Sequence, residues 1–301
     1  MRFFHDTKIN FIGKRGLFFT ISLVVIAAGM IGTFVIGPVF GIDFAGGTEV
    51  VVRFDEQINA DDVRDAVDKN FSGSEIKSFG SDGRGYSIRV KDSDDAPTRV
   101  KEALTNNLSL GFEEVWVKKI GPKIGGEMRT QAFIAIILSV FAILLYIAFR
   151  FEFTYGIGAI IALVHDVFIT FSLIVIVHSL GFINLEINQA ILAGLLTVVG
   201  FSINDTVIIF DRIRENLERH KGKVFHDLVN MSINETLSRT VNTTITSVLS
   251  LLAIIIFGGP VLQGFAFTML IGFIVGTYSS IYIASSFVIW YLEKVKKVKF
   301  A

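Results

Sequence analysis

Asp205 stands in the run Ser202-Ile203-Asn204-Asp205-Thr206, inside a long apolar stretch. An ionisable side chain near the centre of a bilayer costs about 2.5–3.5 kcal/mol even on insertion scales. Aspartate is too short to reach the interface as lysine does, so this one must face protein or water. Intramembrane carboxylates commonly mark ion or proton pathways. A second apolar stretch carries the adjacent pair His165-Asp166 near its midpoint. A third carries Arg239, Thr243, Thr246 and Ser250 at i, i+4, i+7 and i+11, which places them on one helical face, with Asn242 and Ser247 beside it. A basic residue then leads into a hydroxyl-lined stripe. Asp205 and Arg239 fall at comparable depths, so an Asp–Arg pair, direct or through water, is geometrically feasible. Burial and a nearby guanidinium act on proton affinity in opposing senses, which is how helix movement can switch a proton carrier. The competing reading is polar glue between helices, at about 0.6–2 kcal/mol per pair. The proton-linked candidates are therefore Asp205, Arg239, Asn204, Thr243, Thr246, His165 and Asp166.

The elements that position these residues follow from hydropathy. Of 301 residues, 51% are hydrophobic and only 19% charged, too few charges to cover a soluble surface. Apolar runs long enough to span occur at 17–37, 132–149, 156–177, 187–210, 241–257 and 265–292. Arg2, Lys8, Lys14 and Arg15 precede the first. Arg150 separates the second from the third. Arg212, Arg214, Arg219, Lys221, Lys223 and Arg239 lie between the fourth and fifth, and Lys294, Lys296, Lys297 and Lys299 follow the sixth. The connections at 178–188 and 258–264 contain no Lys or Arg. The positive-inside rule then puts both termini in the cytoplasm and residues 38–130 outside, and the chain reads as a polytopic inner-membrane protein. The first run is long and lacks a small-x-small exit, so it reads as a retained anchor rather than a cleaved signal.

The predicted organisation is a cytoplasmic N-terminus at 1–16, a span at 17–37, an external domain at 38–130, five more spans within 131–292, and a basic C-terminus at 293–301. Between spans four and five, Phe225, Leu228, Val229, Ile233 and Leu237 form an apolar face, and 211–238 reads as an interfacial segment on the inner leaflet. Glu215 and Arg219 make an i, i+4 pair there. Gly272, Gly276, Ser280 and Ala284 form a small-residue stripe suited to close packing on span six.

In the external segment, strands are predicted at 48–54, 74–79, 85–91 and 113–119, and helices from Asn59 to about Asn70 and from an Asp95 cap to about Leu108 with Pro97 in its first turn. The order β-α-β-β-α-β is the split βαβ pattern of ferredoxin-like folds. The fold class is thus a six-span α-helical membrane protein with a small α+β ferredoxin-like external domain. That domain holds no histidine, cysteine or tight acidic cluster, which suits binding or coupling rather than catalysis. The chain has no cysteine and no GxxxxGK[ST] string, so thiol chemistry and a nucleotide site are not expected. Protons are the expected coupling ion, with no cofactor, no metal and no enzymatic reaction.

Four stretches carry a resemblance. Gly41-Ile42-Asp43-Phe44-Ala45-Gly46-Gly47-Thr48 is similar to a DFxGGT motif, Ala162 to Val167 to ALxHDV, Gly200 to Glu215 to GYSxNDTVVxFDRxRE, and Ser238-Arg239-Thr240 with Thr243-Thr244 to RTxxTT. Together with the IGTYSSIYIAS stretch of span six they resemble the SecD/SecF family of protein-export membrane proteins, in the RND superfamily. Asp43, Phe44, Gly46, Gly47, Thr48, Asp211 and Arg212 are its motif residues. One departure is Phe201, where the family pattern has Tyr, which weakens any relay through a tyrosine there. The resemblance implies a SecD partner, association with the SecYEG channel and YajC, an unfolded preprotein as substrate, contact with lipid but not nucleic acid, and use of the proton gradient. By the same carry-over Asp205 is the proton-linked carboxylate and Arg239 its basic counterpart. The alternatives are an RND-type small-molecule exporter, an intramembrane aspartyl protease pairing Asp166 with Asp205 (the GxGD setting is absent), and a pure scaffold.

Overall fold

The computed structural model describes residues 7–37, 39–71, 74–80, 82–90, 95–181, 183–220 and 222–295. Arg2, Lys221, Ser81 of the 81–84 turn, and the basic C-terminus beyond Val295 lie outside them. Among the described residues six helices are long and apolar enough to cross a membrane. The first is α1 (Arg15–Ile36), entered through a 3-10 turn at Ile12–Lys14. After a short α2 (Ile42–Ala45) come β1 (Gly47–Phe54), α3 (Ala60–Asp68), β2 (Glu75–Phe79), β3 (Gly85–Val90), α4 (Ala96–Asn107) and β4 (Phe112–Ile120). The remaining spans are α5 (Pro122–Arg150), α6 (Phe153–Ser179), α7 (Gln189–Arg219), α8 (Phe225–Phe257) and α9 (Gly259–Ser279). The last continues through a π turn at Ser280–Ala284 into α10 (Ser285–Trp290) and a second π turn at Tyr291–Val295.

The chain divides into two compact units: Met1–Pro38 with Ile136–Leu180 and Ala190–Ala301, and Val39–Ala135 with Gly181–Gln189. In the helical unit, α6 packs against α1, α9 and the first π turn, and α8 against α9. Small residues set the closest approaches. A Cβ on Gly29 of α1 would lie 2.2 Å from the Cβ of Ser172, and one on Gly272 of α9 would lie 2.0 Å from a Val198 methyl of α7. Glycine there lets backbones meet where lipid offers no hydrophobic drive to association. The predicted small stripe is thus used for packing.

The connection between spans four and five differs from expectation. Among the described residues no separate interfacial helix forms over 211–238: α7 runs unbroken to Arg219 and α8 begins at Phe225. The apolar face assigned to the leaflet, Phe225, Leu228, Val229, Ile233 and Leu237, is buried in the bundle core. Hydropathy marks the lipid-soluble part of a helix and not its ends, so a helix can continue beyond it on protein contacts. The Glu215–Arg219 pair forms, at 2.6 Å.

The second unit has the predicted strand and helix order. Its sheet runs β2-β3-β1-β4, antiparallel throughout, as in the split βαβ arrangement. Val50, Val52, Phe54, Ile88, Val100 and Leu104 fill its core. Asn59 and Asp95 occupy the N-cap positions of α3 and α4, but neither side chain makes the capping hydrogen bond. The connection between α6 and α7 belongs to this unit. Ile187 forms a parallel bridge with Phe40, accepting from Gly41 N at 3.0 Å and donating to Val39 O at 2.9 Å.

Candidate functional site

Asp205 lies midway along α7 and is 1% exposed. Its described hydrogen-bond partner is Thr277 Oγ1 of α9, at 3.5 Å. Thr277 in turn lies 2.7 Å from Thr244 Oγ1 of α8. Three helices therefore meet at this carboxylate through the Thr277 and Thr244 hydroxyls.

A second polar centre sits beside it. Asp166 of α6 is fully buried. Its Oδ2 accepts from Ser279 Oγ at 2.8 Å and from Ser202 Oγ, and its Oδ1 is 2.9 Å from His165 Nδ1. His165 Nε2 stands 2.8 Å from Ser22 Oγ of α1 and 3.2 Å from Tyr278 OH, and those two hydroxyls are 3.1 Å apart. With Nδ1–H donated to Asp166, Nε2 accepts a hydroxyl proton. With the imidazole doubly protonated it donates instead, and the hydroxyls need only rotate. Such a chain can take up or pass a proton without moving a heavy atom far.

Sequence reading missed the residues that join the two centres. Thr277, Tyr278 and Ser279 are consecutive on α9 and reach Asp205, His165 and Asp166 respectively. Ser202 and Asp205, three apart on α7, reach the same two centres. The available signal was four hydroxyl residues in a row, Thr277 to Ser280, within an apolar span. The π turn begins at the last of them.

The predicted face of α8 makes none of the described hydrogen bonds to Asp205. Arg239, Thr246 and Ser250 are exposed and Thr243 is half-buried, while Thr240 and Thr244 are buried. The hydroxyls of Thr243, Thr246 and Ser250 bond carbonyls of their own helix. Among the described residues no ion pair within 4.0 Å joins Asp205 to Arg239. Arg239 instead lines a cavity of about 1270 Å³ together with Lys8, Arg212, Lys223, Asp227 and Glu235. Asn204 is exposed. The aromatic ring of Phe201 stacks on Phe273 at 3.8 Å, a packing role that needs no hydroxyl.

The motif residues also find places. At the end of α7, Asp211 pairs with Arg150 at 3.0 Å, and Arg212 reaches Glu215 at 2.5 Å and Glu235 at 2.6 Å. Asn216 donates to Glu235 and Ser232, closing the α7–α8 hairpin. In the second unit, Gly46 and Gly47 have φ of +75° and +133°. A Cβ on Gly46 would lie 2.8 Å from Pro122 Cα, so both conformation and space demand glycine. Asp43, Phe44 and Thr48 are buried around this turn, and Asp43 pairs with Lys118 at 2.5 Å and accepts from Gln189 N at 3.0 Å.

Residues 99–294 match the profile described as the C-terminal region of the protein export membrane proteins SecD and SecF, and residues 31–58 match the SecD/SecF GG motif. The chain belongs to the SecD/SecF family. Within it, the protein translocase subunit SecF of Calditerrivibrio nitroreducens is 38% identical over 299 residues, covering 94% of both chains. That of Petrotoga mobilis is 36% identical and covers 97% of this chain and 99% of its own. The crystal structure of SecDF, a translocon-associated membrane protein from Thermus thermophilus, superposes with a TM-score of 0.84 at 34% identity. It covers 95% of this chain, which spans only 39% of the SecDF chain. SecDF in its super-membrane-facing form gives a TM-score of 0.69. The SecD/SecF relationship accounts for six spans with one small α+β domain after the first. The double glycine at 46–47 falls within the matched GG motif.

Proposed function

We propose that this chain is a SecF-type subunit of a Sec protein translocase, which together with a SecD-type partner uses the proton motive force to assist preprotein translocation. The observation that carries the reading is Asp205, shut away midway along a spanning helix, where its hydrogen-bond partner among the described residues is the Thr277 hydroxyl at 3.5 Å. A carboxylate so placed is costly unless it is used. Support also comes from three consecutive hydroxyl residues of α9, which contact Asp205, His165 and Asp166 in turn, and from Arg239, which lines a cavity rich in basic side chains. Protons are the coupling ion, the role is transport rather than catalysis, and both termini are cytoplasmic. The channel SecYEG, with YajC, and the unfolded preprotein are the further partners this role requires. In proteoliposomes containing the complete translocase, Asp205→Asn is expected to insert and assemble normally yet lose the gradient-dependent part of translocation. Full activity of that variant would overturn the reading.

A further inference from the structure

Glu186 lies in the short connection between α6 and α7, yet only 3% of it is exposed. Arg89 of β3 is ion-paired to one of its oxygens and Lys77 of β2 stands 2.7 Å from the other. Lys77 also donates to Asn184 Oδ1 at 3.1 Å. Glu75 reaches Lys77 at 3.0 Å and Arg89 at 3.1 Å, and Glu49, opposite Arg89 in the sheet, adds a further negative charge to the cluster. Desolvation opposes the ionised form of Glu186, but Arg89 and Lys77 outweigh it and hold the carboxyl below its ordinary value. The backbone adds the Phe40–Ile187 bridge and the Gln189 N–H bond to Asp43. A connection between two helices needs none of this merely to reverse the chain. Charged groups are buried only where they are paired and hydrogen-bonded, and losing one partner strands the other.

Gln189 is both the first residue of α7 and the donor to Asp43. The helix that carries Asp205 therefore starts on the last contact of this connection. We propose that residues 183–189 are a strap, locked to the sheet by Glu186, that transmits displacement of α7 to the external domain. Its functional consequence rests on the proton-coupled reading above. Besides the strap, the chain passes between the two units at Pro38–Val39 and at Ala135–Ile136.

The test uses the chain with its SecD-type partner in proteoliposomes. In Glu186→Gln, hydrogen exchange at the Ile187 and Gln189 amides is expected to quicken on the order of 100-fold, with β1 and β3 unchanged. Gradient-dependent translocation is expected to fall about tenfold while the gradient-independent part stays. The chain has no cysteine, so adding Phe40→Cys and Ile187→Cys to that variant gives a single oxidisable pair. Oxidation should restore both readouts and reduction should abolish them. A second variant inserts two glycines between Gln189 and Ala190, leaving every strap contact in place but adding slack. It should keep the amides protected and still lose the gradient response. Released amides with an undiminished gradient response, or an undiminished response with the slack insertion, would overturn the strap. Asp205→Asn, run alongside, is expected to lose the gradient response with the strap amides still protected, so each idea fails by a different measurement.

Discussion

Asp166 and Asp205 are both closed off from the surface, but they are held differently. Asp166 receives two hydroxyls and an imidazole. Among the described residues Asp205 receives one hydroxyl, at the limit of hydrogen-bond distance. Removing a donor to Asp166 leaves a buried carboxylate under-satisfied, at about 1–3 kcal/mol. Ser202→Ala and Ser279→Ala should each lower the thermal midpoint in detergent, whereas Ser280→Ala, whose hydroxyl bonds only Thr277 O, should leave it nearly unchanged. Asp205, His165 and Asp166 were legible in the sequence because a charge in an apolar run is conspicuous without any knowledge of its neighbours. The partners of Asp205 were not. Periodicity fixes which residues of α8 share a face, but not which way that face points, and moving from Thr243 to Thr244 turns it by about 100°.

At the scale of elements, close packing makes a clear forecast. Gly272→Val should cost about 1–3 kcal/mol or more through its overlap with Val198. Gly200→Ala, in the same bundle with open space beside it, should be neutral or slightly stabilising. Denaturation of the two variants in one detergent separates them. The external domain was nearly fully legible, each element within about two residues, because alternation and turn residues are local signals. The strap was not, since the partners of Glu186 lie about a hundred residues earlier in the chain. Its ionic lock also sets a pH dependence. Glu186 titrates below its ordinary 4.5 when folded, so its contribution is complete above that value and is lost as pH falls through the lower, folded one. Protection factors at Ile187 and Gln189, the intrinsic rate at each pH divided by the observed one, should therefore fall below about pH 4.5 and stay flat from pH 6 to 8.

For the molecule as a whole, α7 and α8 carry polar or small residues on exposed faces: Thr197, Gly200 and Asn204 on α7, and Arg239, Thr246 and Ser250 on α8. Lipid is a poor neighbour for asparagine and arginine, and the SecDF chain that this fold matches is more than twice as long. A second six-span half suits these faces. In the cysteine-free chain, Asn204→Cys and Thr246→Cys should react with a small maleimide when the subunit is alone and be shielded in the complex. Thr244→Cys, buried against Thr277, should resist in both. Equal reactivity of Asn204→Cys alone and in the complex would move the partner elsewhere.

The π turn at Ser280–Ala284 bears on this last span in another way. Such a turn is a helix with one residue more than its length requires. It works as a register dislocation: α9 and α10 lie on one line but are indexed separately, so α9 can present Gly272 and Gly276 to α7 while α10 buries Val288 and Ile289. A shift of one turn toward the N-terminus would rotate Thr277, Tyr278 and Ser279 as a block and leave the ends of the span where they are.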